Sequence, residues 1–249
     1  MIKRITFLII ITLSLVSKAQ EKVLLRLNYK KGDRYETYMK MNQDLGEAVM
    51  KMEMKMNMLV EGVTSDNKSY DTKNQFTYLG TIITNKGKEE VNYNSDMKEE
   101  DLSDDAKKFR KDMAPLLATK MFINVDKRGK SVLTKLEPEQ VKDIEQLTNQ
   151  FQSVVYPEKA VSVGSSWKST QNSNGIEIEI TYTIKEITDT LVKAELFGKI
   201  PLLPGARIEG DLEIDKKTGV ALKSSFKMKA DNPVMRLNNS TFVTIRKLN

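Results

Sequence analysis

The sequence predicts a mainly β fold: a curled antiparallel sheet, half-barrel or open barrel, with two amphipathic helices packed on it. Three observations carry this expectation. Period-two alternation dominates the chain, Asp- and Gly-bearing turns punctuate it, and only two segments switch to helical spacing. From Val49 to Leu59 one face reads Met50, Met52, Met54, Met56, Met58 and the other Lys51, Glu53, Lys55, Asn57. A helix would smear that pattern around its circumference, whereas a strand sends alternate residues to opposite faces.

Taken in order, at least partial alternation marks strands at Val23–Tyr29, Tyr35–Met41, Val49–Leu59, Ser69–Ile83 and Met121–Val125. It marks others at Ile176–Ile184, Leu191–Leu196, Ile208–Ile214, Val220–Ala230 and Ser240–Ile245. The clearest have one apolar and one polar face, the signature of an antiparallel sheet covered on one side. Asp126-Lys127-Arg128-Gly129 and Asp215-Lys216-Lys217-Thr218-Gly219 sit between alternating stretches. Asp opening a turn and Gly closing it at a left-handed position is hairpin chemistry. A strand from Ala48 to Leu59 would span roughly 40 Å, and strands that long twist and curl toward a barrel.

The first helical segment is capped by Ser103-Asp104-Asp105 and carries Leu102, Ala106, Phe109, Met113 and Leu116 on one side, with Pro115 expected to kink or end it. The second occupies 138–155: Pro138 suits a first turn, and Val141, Ile144, Leu147, Phe151 and Val154 follow at helical spacing. Both apolar faces need a partner, and the concave side of the sheet is the natural one.

Residues 1–19 read as a cleavable signal peptide. Lys3 and Arg4 precede an apolar run from Ile5 to Val16, and Ser17-Lys18-Ala19 supplies small residues before Gln20. The run is shorter than the ~20 residues of a membrane span, and no Cys follows it to carry a lipid. The expectation is a periplasmic or secreted protein with no integral span after cleavage. Residues 20–249 then form a single β-rich domain. It carries a weak internal echo of two halves, 21–136 and 156–249, joined by 138–155.

The export signal takes Lys3, Arg4 and Lys18 with it, reducing 40 basic residues to 37 against 34 acidic ones, a net charge of +3. Charges of both signs interleave, so the basic stripe of a nucleic-acid binder is missing, and neither DNA nor RNA is expected as a partner.

The string Tyr156-Pro157-Glu158-Lys159-Ala160-Val161-Ser162-Val163-Gly164-Ser165-Ser166-Trp167 ends on the chain's sole tryptophan. With Lys31-Gly32-Asp33-x-Tyr35 and the Asp-x-x-x-Gly turn, it resembles an uncharacterised family of exported bacterial envelope proteins, a domain of unknown function. The resemblance implies curled antiparallel sheets with helices against them, similar to periplasmic lipoprotein-carrier half-barrels. It also implies that Gly164 turns the chain into the second set of strands and that Trp167 plugs the core. It implies no reaction.

The catalytic inventory is thin. With no His and no Cys, the usual general base, the common soft nucleophiles and His/Cys zinc sites are absent. Ser165 and Ser166 lack nucleophile-elbow spacing. The acids Glu99, Glu100, Asp101, Asp104 and Asp105 lack a calcium loop and suit a helix N-terminus. No enzyme, cofactor or metal is expected.

The methionines are the unusual feature. Met39, Met41, Met50, Met52, Met54, Met56 and Met58 form a candidate ligand-binding face. They read as a sheet's packed core, as an adaptable apolar groove, or as soft ligands for Cu(I). The last is weakened by same-face spacings of about 7 Å along one strand. The leading expectation is a non-enzymatic protein binding a lipid, a lipidated protein or another apolar ligand in a sheet groove. The alternative is an envelope interaction module with a packed core and no ligand. A cavity on the concave face favours the first; a face filled by Trp167, Phe109 and Phe151 favours the second.

Overall fold

One-sided alternation has a direct consequence: every strand must find a neighbour that buries the same face. The computed structural model, which describes residues 21–139, 154–173, 176–203, 205–232 and 235–249, meets that demand with a single antiparallel sheet. Its first strands are β1 (Arg34–Asp44), β2 (Ala48–Val63), β3 (Ser69–Asn85) and β4 (Lys88–Asn94). A short 3₁₀ turn (Glu99–Asp101) and helix α1 (Asp104–Ala118) follow, then β5 (Lys120–Asp126) and β6 (Ser131–Glu137). The second set is β7 (Ser166–Ser173), β8 (Ile176–Ile187), β9 (Leu191–Lys199), β10 (Arg207–Asp215), β11 (Ala221–Asn232) and β12 (Met235–Leu248).

The strands lie in the order β6-β5-β3-β2-β1-β12-β11-β10-β9-β8-β7, with β4 beside the far half of β3. The sheet is open, ending on β6 at one side and β7 at the other. Strands from both halves of the chain join through the β1·β12 pair.

The sheet is strongly curled. β5 and β10 are six strand spacings apart, roughly 29 Å if flat. Yet Leu27 donates its backbone N–H to Lys127 O in the β5–β6 turn (2.8 Å), and the next residue, Asn28, donates to Thr218 O in the β10–β11 turn (2.8 Å). The two turns are thus brought within a residue of each other. The N-terminal segment that bridges them also pairs Val23 with Val161. Here the expected strand Val23–Tyr29 is corrected: the alternation is real, with Val23, Leu25 and Leu27 buried, but Val23 forms only an isolated bridge. The segment is a strap, because its N–H groups bond in turn to three different parts of the fold. Burying its three aliphatic side chains stabilises the arrangement by roughly 1.5–3 kcal/mol each.

The convex face is polar and carries cross-strand ion pairs, among them Lys40–Glu53 (2.9 Å), Lys185–Glu195 (2.9 Å) and Lys193–Glu186 (2.8 Å). These exposed pairs contribute little stability each, but they keep that face wetted and the apolar face inward.

Among the described residues there is one α-helix, not two. The expected helix at 138–155 falls mostly outside the described residues, as does the signal segment 1–19 and with it the question of cleavage. Helix α1 begins as its sequence suggests: the Ser103 Oγ accepts a hydrogen bond from Ala106 N at 3.2 Å. It ends three residues beyond Pro115. That proline sits in the last turn, where the Thr119 hydroxyl donates to the Pro115 carbonyl at 2.7 Å. Ala106 and Leu116 are buried, and Phe109 and Met113 pack beside them against β3 and β4.

Candidate ligand-binding groove

The register brings the methionines of β1 and β2 face to face: Met39 lies opposite Met54, and Met41 opposite Met52. The remaining odd positions of β1 complete the same surface, with Thr37 opposite Met56 and Tyr35 opposite Met58. On the other flank Met39 faces Val243 and Thr37 faces Ile245 of β12. The concave side is thus one apolar sheet face, with the methionines near its centre.

A cavity of about 230 Å³ lies on this face. Met39, Met56 and Met58 line its floor, with Val243 and Ile245 from β12. Met121 and Ile123 of β5 approach from one side, and Leu212 of β10 and Phe226 of β11 from the other. Only a curled sheet lets strands so far apart in order share one cavity. The candidate residues therefore divide. Met39, Met56 and Met58 line the cavity; Met54 is buried beneath α1 with Phe76 and Leu79, so at that position packing explains the side chain. Met52 packs against the same cluster, as do Met39 and Met56 while also lining the cavity. Met41 and Met50 share the face by register and stay half-buried, away from the cavity lining.

Two of the aromatic residues that could have filled the groove, Trp167 and Phe109, lie elsewhere. Trp167 stacks on Tyr182 with centroids 4.9 Å apart and planes 15° apart, and its indole N–H donates to Val155 O at 3.0 Å. Phe109 packs against Tyr93 at 5.4 Å. Neither lines the cavity, and Phe151 lies outside the described residues.

The strap closes one end. Leu27, Tyr29 and Tyr156 line the cavity there. Tyr156 is held by its hydroxyl donating to Gly219 O (2.6 Å) and by the Arg128 guanidinium donating to its carbonyl (2.8 Å). Tyr29 packs its ring against Tyr35 and Tyr70, each at 5.2 Å, and the Tyr70 hydroxyl donates to Leu27 O at 2.8 Å. Burial pushes the hydroxyls of Tyr29, Tyr35 and Tyr156 well above the ordinary tyrosine value and that of Tyr182 up to about 12. All stay neutral at physiological pH. Among the described residues no charged side chain lines the cavity. Its polar groups are hydroxyls and one carboxamide. The Asn74 side chain donates to the Thr72 hydroxyl (3.0 Å), which donates to Ile123 O (3.0 Å).

Sequence reasoning missed Tyr29, Tyr156, Met121 and Phe226. Each follows its own local alternation or turn, and only the curl and the strap bring them to the methionines. One charged anchor sits just behind this end. Burial alone would raise the Asp33 carboxyl, but the Lys247 ammonium at 2.6 Å, the Lys30 N–H at 3.0 Å and the Tyr35 hydroxyl outweigh it and hold the carboxyl below its ordinary range. With the folded-state value below the unfolded one, the stabilisation is complete above about pH 4 and is lost as pH falls through the folded-state value. Asp33→Asn is expected to lower stability at neutral pH and to flatten its acid decline, read as the unfolding midpoint followed from about pH 6 to about pH 3.

No family model matches the chain, and no curated protein matches it. Among solved structures, a lipovitellin structure concerned with lipid–protein interactions superposes with a TM-score of 0.53 at 8% identity, over 89% of this chain and 26% of that one. A DUF1329 family protein from Desulfovibrio piger aligns at 10% identity over 87% of this chain and 85% of that one, with a TM-score of 0.25. This chain spans about a quarter of the length of the lipovitellin chain. At 8% identity that likeness is one of fold: a large open antiparallel sheet.

Proposed function

We propose that this chain is a non-enzymatic, exported protein that holds a lipid or other apolar ligand on the concave face of its curled sheet. The observation that carries the reading is the cavity of about 230 Å³ with three methionines on its floor and no charged side chain among its described lining. Apolar cavities of roughly 150 Å³ stay dry and take up benzene-sized guests, so this one is large enough to bind hydrocarbon. It lies below the roughly 300–1,000 Å³ of drug-sized pockets, which favours a single hydrocarbon chain or a small aromatic dye over a larger fused-ring guest. Unbranched thioether side chains let such a lining adapt to its guest. The lipovitellin structure of similar fold concerns lipid–protein interactions, which is consistent with a lipid ligand here. Export rests on the N-terminal segment and on the resemblance to exported envelope proteins. The absence of His and Cys from the chain argues against the commonest kinds of enzyme.

The test is displacement fluorimetry with the apolar dye N-phenyl-naphthylamine on the mature chain. Saturable dye binding, reversed by a single-chain lipid, is the expected result. A flat titration, with the protein shown to be folded, would remove the reading.

A further inference from the structure

The cavity is apolar but not featureless. Of the hydroxyls lining it, three are engaged within the protein: Thr72 donates to Ile123 O, Tyr156 to Gly219 O and Thr241 to Asn239 Oδ1. Tyr29 is different. Its ring is fixed between Tyr35 and Tyr70 at the strapped end, and it lines the cavity. Its hydroxyl donates no hydrogen bond to any described residue, whereas its two ring neighbours both donate: Tyr35 to Asp33 and Tyr70 to Leu27 O. No described side-chain oxygen is both fully buried and unpartnered, so the Tyr29 hydroxyl keeps access to the cavity space, where a guest's polar group can meet it.

The surroundings restrict what that guest can be. A buried carboxylate or ammonium needs an opposite charge or a full set of hydrogen bonds, and no charged side chain is among the described lining. A neutral group such as an alcohol, an ester carbonyl or a protonated acid needs only one or two such bonds. The hydrocarbon of the same molecule would then run away from the strap along Met58, Met56 and Met39, which follow one another on the cavity floor.

Resting on the apolar-ligand reading above, we propose that the ligand is a single-chain, uncharged amphiphile whose polar group hydrogen-bonds to Tyr29 at the strapped end, with its hydrocarbon along the methionines. Tyr29 is thus a specificity residue: it separates ligands with a neutral polar end from plain hydrocarbons and from anions of the same chain length.

The experiment compares decanol, decane and decanoate as displacers of the bound dye, in the unaltered mature chain and in Tyr29→Phe. In the variant, the ratio of decanol to decane affinity is expected to fall about threefold to tenfold, the worth of one hydrogen bond. In the unaltered chain, decanoate is expected to weaken as pH rises and the acid ionises. Because the hydroxyl has no partner among the described residues, Tyr29→Phe should also hold or raise the unfolding midpoint of the empty protein while lowering the gain that decanol confers. An unchanged decanol-to-decane ratio would overturn the assignment of Tyr29. Decanoate binding as tightly as decanol well above its own pKa would overturn the neutral-ligand claim, and a destabilised empty variant would show that the hydroxyl serves the fold. Failure of all three molecules and of the dye itself would instead remove the apolar-ligand reading on which this proposal stands.

Discussion

Replacing Gly219 by alanine is expected to be among the most damaging single changes in the chain. Gly219 closes the β10–β11 turn with φ at +67°, a left-handed conformation that costs an L side chain roughly 1–2 kcal/mol. A Cβ built there would lie 2.1 Å from the Arg26 carbonyl oxygen and 2.5 Å from its carbon. Both atoms belong to strap backbone, which is anchored on either side by the Leu27 and Asn28 N–H bonds and by the Arg26 side chain on the carbonyls of Pro157 and Glu158. The strap cannot yield locally, so the added methyl displaces it as a unit. The Gly219 carbonyl also accepts the Tyr156 hydroxyl, and that contact goes with it. Strain and overlap together come to about 2–5 kcal/mol, read as a lower denaturation midpoint. Because the strap closes one end of the cavity, dye binding should weaken in the same variant. A Gly219→Ala protein as stable as its parent would mean that the strap does not hold the two turns together.

The second large effect concerns binding without unfolding. Ser224 of β11 lines the cavity, opposite Val243 on one neighbouring strand and Leu212 on the other. Ser224→Phe places an aromatic ring into a space of about 230 Å³. The ring gains apolar burial at a half-buried position, which offsets the roughly 1–3 kcal/mol that overpacking can cost. The expected outcome is at least a tenfold loss of dye and lipid affinity, with an unfolding midpoint close to that of the parent. Ser224→Leu, with a smaller side chain, should give an intermediate loss. Undiminished binding in both folded variants would place the ligand somewhere other than this cavity.

How much of this was legible in the sequence depends on the distance over which each feature is encoded. Strands announce themselves locally, so the alternation at 49–59 gave β2, and those at 208–214 and 220–230 gave the β10–β11 hairpin with its Asp215-to-Gly219 turn. The Ser103 cap and the Leu102, Ala106, Phe109, Leu116 stripe likewise marked α1. Strand β4 was not named, because Lys88–Asn94 is short and its charged residues run together at Lys88-Glu89-Glu90. The strap looked like a strand because its buried residues alternate, and periodicity does not say what its N–H groups will meet. The methionine stripe was visible as one face, but its partition was not. Met54 became core because the register set it beside Leu79 under a helix about fifty residues downstream. Met39, Met56 and Met58 line the cavity that the curl encloses between β5 and β10. Tyr29 and Tyr156 reach the groove only through the strap. Local pattern thus fixed which face is apolar, and long-range register and curl decided where that face stays unfilled.

The most direct test of the groove is native mass spectrometry of the mature chain, purified without detergent and then incubated with envelope lipids. A single apolar molecule is predicted to bind one to one, to be lost on denaturation and to be absent from Ser224→Phe treated in parallel. A folded parent that stays bare, or a bound lipid retained equally by Ser224→Phe, would contradict the assignment of this cavity as the binding site.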